Sequence, residues 1–332
     1  MTSINRPSTA VAGAETQQPH KDIKAWLTHH SVALTNILAL FLLLGVGSIL
    51  SPHFLSVTNF FNVLRGASMV GIVSIGMTFV ILNRGIDLSV GSLVGISSVL
   101  MAGMMPYGVA GWLIAPIGAA VLLGVVNGLL IAQVRLQPFI ATLGMMIFVR
   151  GLVFIYSDGS PLVAENMPDV VQSLGSSSVG VVPVAVIVFL LCAVVGHFVL
   201  RSTIFGREVY AVGANEEAAR LSGIRTKLNQ ILVYGVSGLL AGISGIVLTA
   251  RLGVGDPNAG NLYELDAIAA CLIGGMTFDG GKGSVRGTVV GVLILAFLSN
   301  ILNLLGISPY TQMLLKGLII IAAVIISETR KR

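Results

Sequence analysis

The sequence carries very little charge for its length. Only 10% of its 332 residues are Asp, Glu, Lys or Arg, whereas a soluble domain has roughly 25%. Apolar runs of about 20 residues recur along most of the chain, and each can cross a hydrocarbon core of roughly 30 Å. The runs lack the strict alternation of barrel strands, and the 40 glycines favour close helix–helix approach. These features exclude a soluble domain and predict an all-α polytopic membrane protein.

Cysteine is scarce, and no nucleotide-binding loop occurs. Cys192 and Cys271 both lie inside apolar runs, so we expect two small buried side chains and no disulfide framework. His53 and His197 are isolated, and no metal site is expected. The G-x-x-x-x-G-K-[ST] loop is absent, because Gly280–Gly283 imitates only part of it. We therefore expect no catalytic residues, no enzyme activity and no cofactor bound by this chain itself.

About ten transmembrane helices are predicted within a permease domain covering residues 31–327. The predicted segments are Ser31–Leu50, Phe60–Leu82, Leu88–Met105, Ala110–Ala132, Pro138–Ser157, Val181–Leu200, Asn229–Ala250, Glu264–Thr277, Val285–Leu305 and Pro309–Ser327. The eighth is shorter than the ~17 residues that a crossing needs, so a broken or tilted helix is expected there. Residues 1–30 are predicted to be a disordered cytoplasmic tail, and residues 328–332 a second cytoplasmic tail.

The basic residues indicate the orientation of the chain. With the N-terminus inside, most of the 19 Lys and Arg residues are cytoplasmic, in agreement with the positive-inside rule. Arg65 and Arg251 lie near the outer face, and Arg150 and Lys316 lie within spans, where snorkelling or a structural pair is expected. Because the basic residues are spread over loops, we expect membrane lipid around the chain and no nucleic-acid partner. Both termini are predicted to be cytoplasmic, in a bacterial inner membrane.

A short sequence pattern occurs twice. Gly76–Phe79 and Gly275–Phe278 both read G-M-T-F, and each is followed by a Ser-Val pair, at Ser89 and at Ser284. Chance similarity between Gly-rich apolar segments is one explanation. A true internal repeat is the other, and transporters commonly place their pathway between such repeats.

The densest charge lies in residues 201–228, a predicted cytoplasmic loop. Asn215 is a good N-cap, two Glu residues suit the positive end of a helix dipole, and Gly223 is placed for a C-cap. A helix of about two turns is expected, too polar to enter the bilayer. It is either an interfacial helix within a long connection or a docking element for a cytoplasmic partner. The small side chains of Ala218 and Ala219 favour docking, because they allow the helix to fit into a groove.

Four stretches resemble known transporters. Glu217-Ala218-Ala219 followed by Gly223 looks like the E-A-A-x-x-x-G coupling loop of ABC-importer permeases, which contacts the ATPase subunit. The stretches Gly85–Ser92, Tyr263–Ala270 and Asn300–Gly306 resemble the sugar-importer permeases of the ribose type. The resemblance runs from about residue 59 to residue 326. By this resemblance, the ATPase-coupling residues are Glu216, Glu217, Ala218, Ala219, Arg220 and Gly223.

The resemblance also implies a fold and partners. It implies a ten-helix type II importer permease that pairs with a second permease copy or a paralogue. A cytoplasmic ATPase that uses ATP and Mg, and a periplasmic sugar-binding protein, would complete the complex. One departure is G-M-T-F-D-G-G at residues 275–281, where these permeases often carry a small hydroxyl residue in place of Met276 or Thr277. This departure leaves open which sugar is carried.

Polar residues near the spans are candidates for the substrate pathway. Asn83 and Asp87 could bind sugar hydroxyls, but Asp87 could also pair with Arg84 or cap the third helix. Asp266 could contact substrate, cap its helix or pair with Arg251. The candidate pathway residues are Met77, Phe79, Asn83, Asp87, Asp266 and Met276. The candidate docking residues for the binding protein are Arg65 and Arg251.

Three functional hypotheses follow from the sequence. The first is the permease subunit of an ATP-driven importer that carries a monosaccharide delivered by a periplasmic binding protein. The second is an ion-coupled secondary transporter, which would need buried carboxylates or a His relay at mid-membrane. The third keeps the ABC permease class but exchanges the substrate for a nucleoside, an autoinducer or a branched-chain amino acid.

Overall fold

The computed structural model describes residues 23–329, almost all of them helical or in short connections. The predicted tails lie outside this range for residues 1–22 and 330–332. The first helix begins at Ile23, upstream of the predicted start at Ser31. The helices are α1 Ile23–Leu50, α2 Val57–Leu82, α3 Val90–Gly103, α4 Ala115–Ala132, α5 Pro138–Ser157, α6 Asp169–Ser176, α7 Val184–Ser202, α8 Ile204–Ala214, α9 Glu216–Leu221, α10 Thr226–Leu252, α11 Tyr263–Ile273, α12 Val285–Leu304 and α13 Pro309–Thr329.

Several helices begin where the sequence places a capping residue. Ser56 accepts a hydrogen bond from the Asn59 backbone N–H at 3.2 Å, and Ser284 accepts one from Gly287 at 3.1 Å. These side chains satisfy amides that have no partner inside the helix. Pro138 opens α5, a position where its missing N–H costs nothing.

Within the described residues, six helices are long and apolar enough to cross a membrane. They are Val57–Leu82, Ala110–Ala132 (where a π-helical turn, Ala110–Ile114, leads into α4), Pro138–Ser157, Val184–Ser202, Thr226–Leu252 and Val285–Leu304. Two shorter apolar helices, Leu34–Leu50 and Val90–Gly103, accompany them. The prediction of a mostly helical polytopic membrane protein is therefore confirmed, and the count of ten crossing helices stays a prediction. Each predicted segment overlaps a helix, and the short eighth segment is α11, Tyr263–Ile273.

The two long connections contain structure that the sequence analysis did not predict. Residues 158–183 hold α6 and three short strands, β1 Leu162–Val163, β2 Ser178–Val179 and β3 Val182–Pro183. Strand β1 pairs antiparallel with β4, Val254–Gly255, which follows α10, and β2 pairs with β3. The connection after α7 contains α8 as well as the expected short helix.

Helix α10 packs closely along α4 because glycines remove side chains from the contact. A Cβ atom at Gly128 would lie 2.6 Å from the Ile231 Cα, and one at Gly124 would collide with the Tyr234 carbonyl oxygen. Gly238 on α10 likewise packs directly on the α4 backbone. Lipid supplies no hydrophobic drive between helices, so this close approach is the main source of their association. The glycine-based packing expected from composition is confirmed at this seam.

The two G-M-T-F segments differ in local structure. Gly76–Phe79 lies inside α2, whereas Gly275–Phe278 lies beyond the end of α11. The regions nevertheless meet in the core, where the Thr78 and Thr288 hydroxyls are 2.7 Å apart and the Cys271 thiol lies 3.7 Å from Thr78. An internal repeat stays a prediction. Cys271 is buried as expected, and Cys192 is half-buried.

Candidate functional site: the α9 helix and two cavities

The expected polar helix is α9, capped at both ends. The Asn215 side-chain oxygen accepts from the Ala218 N–H at 3.0 Å, so the predicted N-cap is confirmed. At the other end Gly223 has φ +87°, its N–H donates to the Arg220 carbonyl, and the Ile224 N–H donates to Ala219 at 3.1 Å. This is the Schellman arrangement, which a glycine at this position permits without strain. The C-terminal cap predicted at Gly223 is therefore confirmed.

The outer surface of α9 is polar and exposed. Glu216, Glu217, Ala218 and Arg220 are exposed, and Ala219 is buried against the bundle. Arg220 Nη2 lies 2.5 Å from Glu217 Oε1. The hydrogen bonds and the charge of Arg220 hold the pKa of Glu217 below its ordinary value, and Glu217 in turn raises the pKa of Arg220. The helix thus presents a fixed ion pair beside a small side chain.

We expect E217Q to leave the midpoint of thermal unfolding unchanged between pH 6 and 8. The lowered pKa means that the pair contributes fully above the ordinary glutamate pKa, and that its contribution is lost as pH falls through the lowered value. Because both groups are in water, that contribution is small throughout. Unfolding curves of the two purified proteins in detergent at each pH test this. A lower midpoint for E217Q at pH 7 would mean that Glu217 has a structural role.

Helix α8 attaches α9 to two other parts of the bundle. The Tyr210 hydroxyl donates to the Gly283 carbonyl at 2.9 Å, in the loop between α11 and α12. The Gly281 N–H in the same loop donates to the Leu82 carbonyl, at the end of α2, at 2.8 Å. Gly213 packs directly on that Leu82 carbonyl. These contacts join α8, which precedes α9, to the end of α2 and to the loop that precedes α12.

A cavity of about 570 Å³ opens beside α9, and we call it the α9 cavity. Its charged wall residues come from the ends of several helices: Arg84, Arg135, Glu216, Glu217, Arg220 and Lys227. Asn83 also lines it, and its side-chain amide donates to the Asn229 oxygen at 2.8 Å. Arg84 donates to the Asp279 carbonyl oxygen at 2.5 Å.

Asp87 is fully buried and its oxygens are engaged. One oxygen accepts from the Ser89 N–H at 3.0 Å and from the Ser89 hydroxyl at 2.6 Å, and the other accepts from Ser237 at 2.8 Å. Asn127 donates to Ser89 at 2.9 Å and extends the network to α4. The suggested Arg84–Asp87 ion pair is wrong, because hydrogen bonds inside the bundle use the carboxylate instead. A pathway role for Asp87 stays a prediction.

Asp266 lines a second cavity, of about 300 Å³, which we call the α13 cavity. Asp266 pairs with Lys316 at 2.9 Å, so the suggested pair with Arg251 is wrong. The structural pair expected for Lys316 is confirmed. The lining residues come from α2, α11, α12 and α13: Asn62, Val63, Gly66, Ala67, Val70, Asp266, Val292, Leu295, Ala296, Ser299, Asn300, Asn303 and Lys316.

We expect K316M to lower the free energy of unfolding by about 1–3 kcal/mol, because it leaves the half-buried Asp266 carboxylate without its partner. The double variant D266N/K316M should recover a large part of that loss, since neither charge remains. Denaturant unfolding in detergent measures both. If the double variant is less stable than K316M alone, the charge of Asp266 has another function in the fold.

The two cavities lie at opposite ends of α2. Gly66 lines one and Asn83 lines the other, so at 1.5 Å per residue they are about 25 Å apart along the helix. The predicted pathway residues Met77, Phe79 and Met276 are buried between them.

The other charged residues within spans have structural contacts or lie at the surface. Arg150 donates to the carbonyl oxygens of Pro257 at 2.7 Å and Ala259 at 3.1 Å. Arg251 is exposed at the end of α10, and the charge of the half-buried Arg65 acts on it. Docking at Arg65 and Arg251 stays a prediction. Within residues 23–329, no group of three or more His, Cys, Asp or Glu could hold a metal ion.

A bundle of apolar spans with two polar cavities at opposite ends and an exposed short helix at one of them is the architecture of a membrane permease. The model of the family described as "Branched-chain amino acid transport system / permease component" matches residues 59–324. The chain belongs to this family.

Several curated relatives are named as permeases for sugars. The ribose import permease protein of Bacillus subtilis is 43% identical over 301 residues, which is 88% of this chain and 92% of that protein. The ribose import permease protein of Escherichia coli K12 is 41% identical over 315 residues, covering 93% and 96%. The D-allose transport system permease protein of Escherichia coli K12 is 38% identical over 281 residues, covering 84% and 86%. No solved structure matches the chain.

Proposed function

We propose that this chain is the membrane-spanning permease subunit of an ATP-driven importer for a monosaccharide, with ribose as the first candidate. The observation that carries the proposal is the identity of 41–43% with ribose import permeases over 87–93% of the chain. The capped and exposed α9, in the E-A-A-x-x-x-G segment, supports it. In an ATP-driven importer, a permease without a nucleotide-binding loop would receive its energy from a separate ATPase subunit.

The proposal includes a topology. We propose that α1, α3, α11 and α13 cross or enter the membrane together with the six long spans, which makes ten helices of the type II importer kind. Both termini and α9 then lie in the cytoplasm of a bacterial cell, with the α13 cavity in the outer half of the membrane. The concentration of Lys and Arg at the α9 end supports this orientation.

Three protein partners belong to the proposal. A cytoplasmic ATPase, which binds ATP and Mg, would bind α9 through contacts with Glu217 and the small Ala218. A second copy of the permease, or a paralogue, would complete the membrane domain. A periplasmic sugar-binding protein would deliver substrate at the opposite end.

We expect R65E/R251E to weaken docking of the binding protein by about tenfold or more at low salt. Carboxylates on the binding protein would meet these cations, and reversing both makes each contact repulsive. Binding to the reconstituted permease at two salt concentrations measures this. R201E, at the other end of the molecule, is the matched control. An unchanged affinity and salt dependence in R65E/R251E would remove these residues from the interface.

Uptake by purified proteins in vesicles tests the function. Vesicles that contain the permease and its ATPase are given ATP inside and ribose-loaded binding protein outside. We expect ribose uptake that requires both ATP and the binding protein. The uptake rate should not change when a proton or sodium gradient is imposed. Uptake by the permease alone, driven by an ion gradient, would favour a secondary transporter. Uptake of leucine, a nucleoside or an autoinducer in place of ribose would keep the permease class and correct the substrate.

A further inference from the structure

The wall of the α13 cavity carries polar groups that are free to bind a ligand. In the described part of the chain, the side chains of Asn62 and Ser299 have no hydrogen-bond partner. The Asn303 oxygen accepts from Gln312 at 2.8 Å, which orients its amide group. An amide side chain both donates and accepts, and a serine hydroxyl does the same.

Charge in this wall is balanced. Asp266 and Lys316 are its charged residues, and they neutralise each other at 2.9 Å. An anionic or a cationic ligand would have to break this pair and leave one charge uncompensated in a half-buried site. A neutral ligand can bind beside the closed pair. The wall therefore favours a neutral ligand with many hydroxyl groups.

Size and apolar surface agree with a small sugar. A volume of about 300 Å³ lies at the small end of the range for ligand pockets, which suits a monosaccharide. Val63, Ala67 and Leu295 supply an apolar wall on which the C–H groups of a sugar ring can rest. Few hydrogen bonds hold the ligand, which suits a transport site, since tight binding would slow release.

We propose that the α13 cavity is a transient subsite for a neutral pentose-sized sugar, bound by Asn62, Ser299 and the amide of Asn303. This assignment rests on the proposed function and adds a place for the substrate within it. It also makes the Asp266–Lys316 pair a neutral part of the wall instead of a ligand for the sugar.

Protection of an introduced cysteine tests the subsite. S299C is made in a C192A background, where Cys271 is fully buried and its thiol is hydrogen-bonded inside the core. The complete transporter in vesicles is treated from outside with a polar, membrane-impermeant thiol reagent. We expect saturating D-ribose to slow the modification of S299C by about tenfold. V179C, an exposed position on β2 outside the cavity, is the control and should react at a rate that ribose does not change.

The outcomes separate this inference from the proposed function. N62C is a second probe on α2, in case S299C does not insert, and the same protection is expected there. If the C192A transporter imports ribose with ATP and neither probe is protected, the subsite is wrong and the function stands. Protection by zwitterionic leucine but not by ribose would also overturn it. If no ATP-driven ribose uptake occurs, the proposed function itself fails.

Discussion

G213A is expected to lower ATP-driven uptake by about tenfold while the protein still inserts and folds. An added Cβ would collide with the Leu82 carbonyl oxygen and lie 2.8 Å from the Gly281 nitrogen. Three backbone segments meet here, so neither neighbour can move aside as a flexible side chain would. Forcing one extra carbon into such a contact costs about 1–3 kcal/mol, and 1.4 kcal/mol is a factor of ten in an equilibrium.

We expect G213A to impair the coupling between α9 and the membrane spans. The contact between α8 and the end of α2 is one of the links through which α9 reaches the spans. G213A transporters should therefore retain ATPase binding and lose sugar uptake. The control is G151A on α5, where an added Cβ meets nothing within 4 Å. Uptake rates and membrane abundance of both variants are compared with wild type. Wild-type uptake in G213A would show that this contact does not transmit the motion.

G128L is expected to cost about 3 kcal/mol or more of folding free energy, and the protein should largely disappear from the membrane. A Cβ at Gly128 would lie 2.6 Å from the Ile231 Cα and 3.0 Å from its carbonyl oxygen. A leucine would force α4 away from α10 along the seam that holds the bundle together. G118L is the matched control on the same helix, because an added Cβ there meets nothing within 4 Å.

Membrane abundance and unfolding in detergent measure the two leucine variants. G118L should remain near wild type on both measures. If G128L is as abundant and as stable as G118L, the close packing of α4 and α10 is not what stabilises the bundle.

Sequence patterns were sufficient for the features that depend on neighbouring residues. Long apolar runs predicted the spans, because burial in lipid requires continuous hydrophobicity. Asn215 and Gly223 predicted the ends of α9, since caps act within a few residues. The segment Glu264–Thr277 was expected to be too short to cross the membrane, and α11 covers only Tyr263–Ile273; whether it is tilted stays a prediction.

Features that depend on distant residues could not be predicted in the same way. Asp266 was considered with Arg251, but it pairs with Lys316, 50 residues away. Only the packing of α11 against α13 brings these two side chains together. Helix α8 was missed because its 11 residues are too few for a span and follow α7 after a single residue, so they were assigned to the cytoplasmic loop.

The α13 cavity was missed for a related reason. Its lining residues Asn62, Ser299 and Asn303 come from two helices separated by most of the chain. The stretch Asn300–Gly306 resembled sugar permeases as a motif, yet the motif did not say which side chains face a cavity. The sequence showed polar residues on two long spans. These residues indicate a shared cavity only once the two spans are known to be adjacent.

Crosslinking from α9 tests whether the ATPase binds this helix. A218C, in the C192A background, is labelled with a photoreactive maleimide in the complete transporter and irradiated. V179C, exposed on β2 at the other end of the bundle, is the control. We expect A218C to crosslink to the ATPase subunit and V179C not to, and E217R to weaken both the crosslink and ribose uptake. The role of α9 as the site where the ATPase binds this permease would be contradicted by either of two results. One is full ATP-driven uptake with no crosslink from A218C, and the other is an E217R transporter with unchanged crosslinking and uptake.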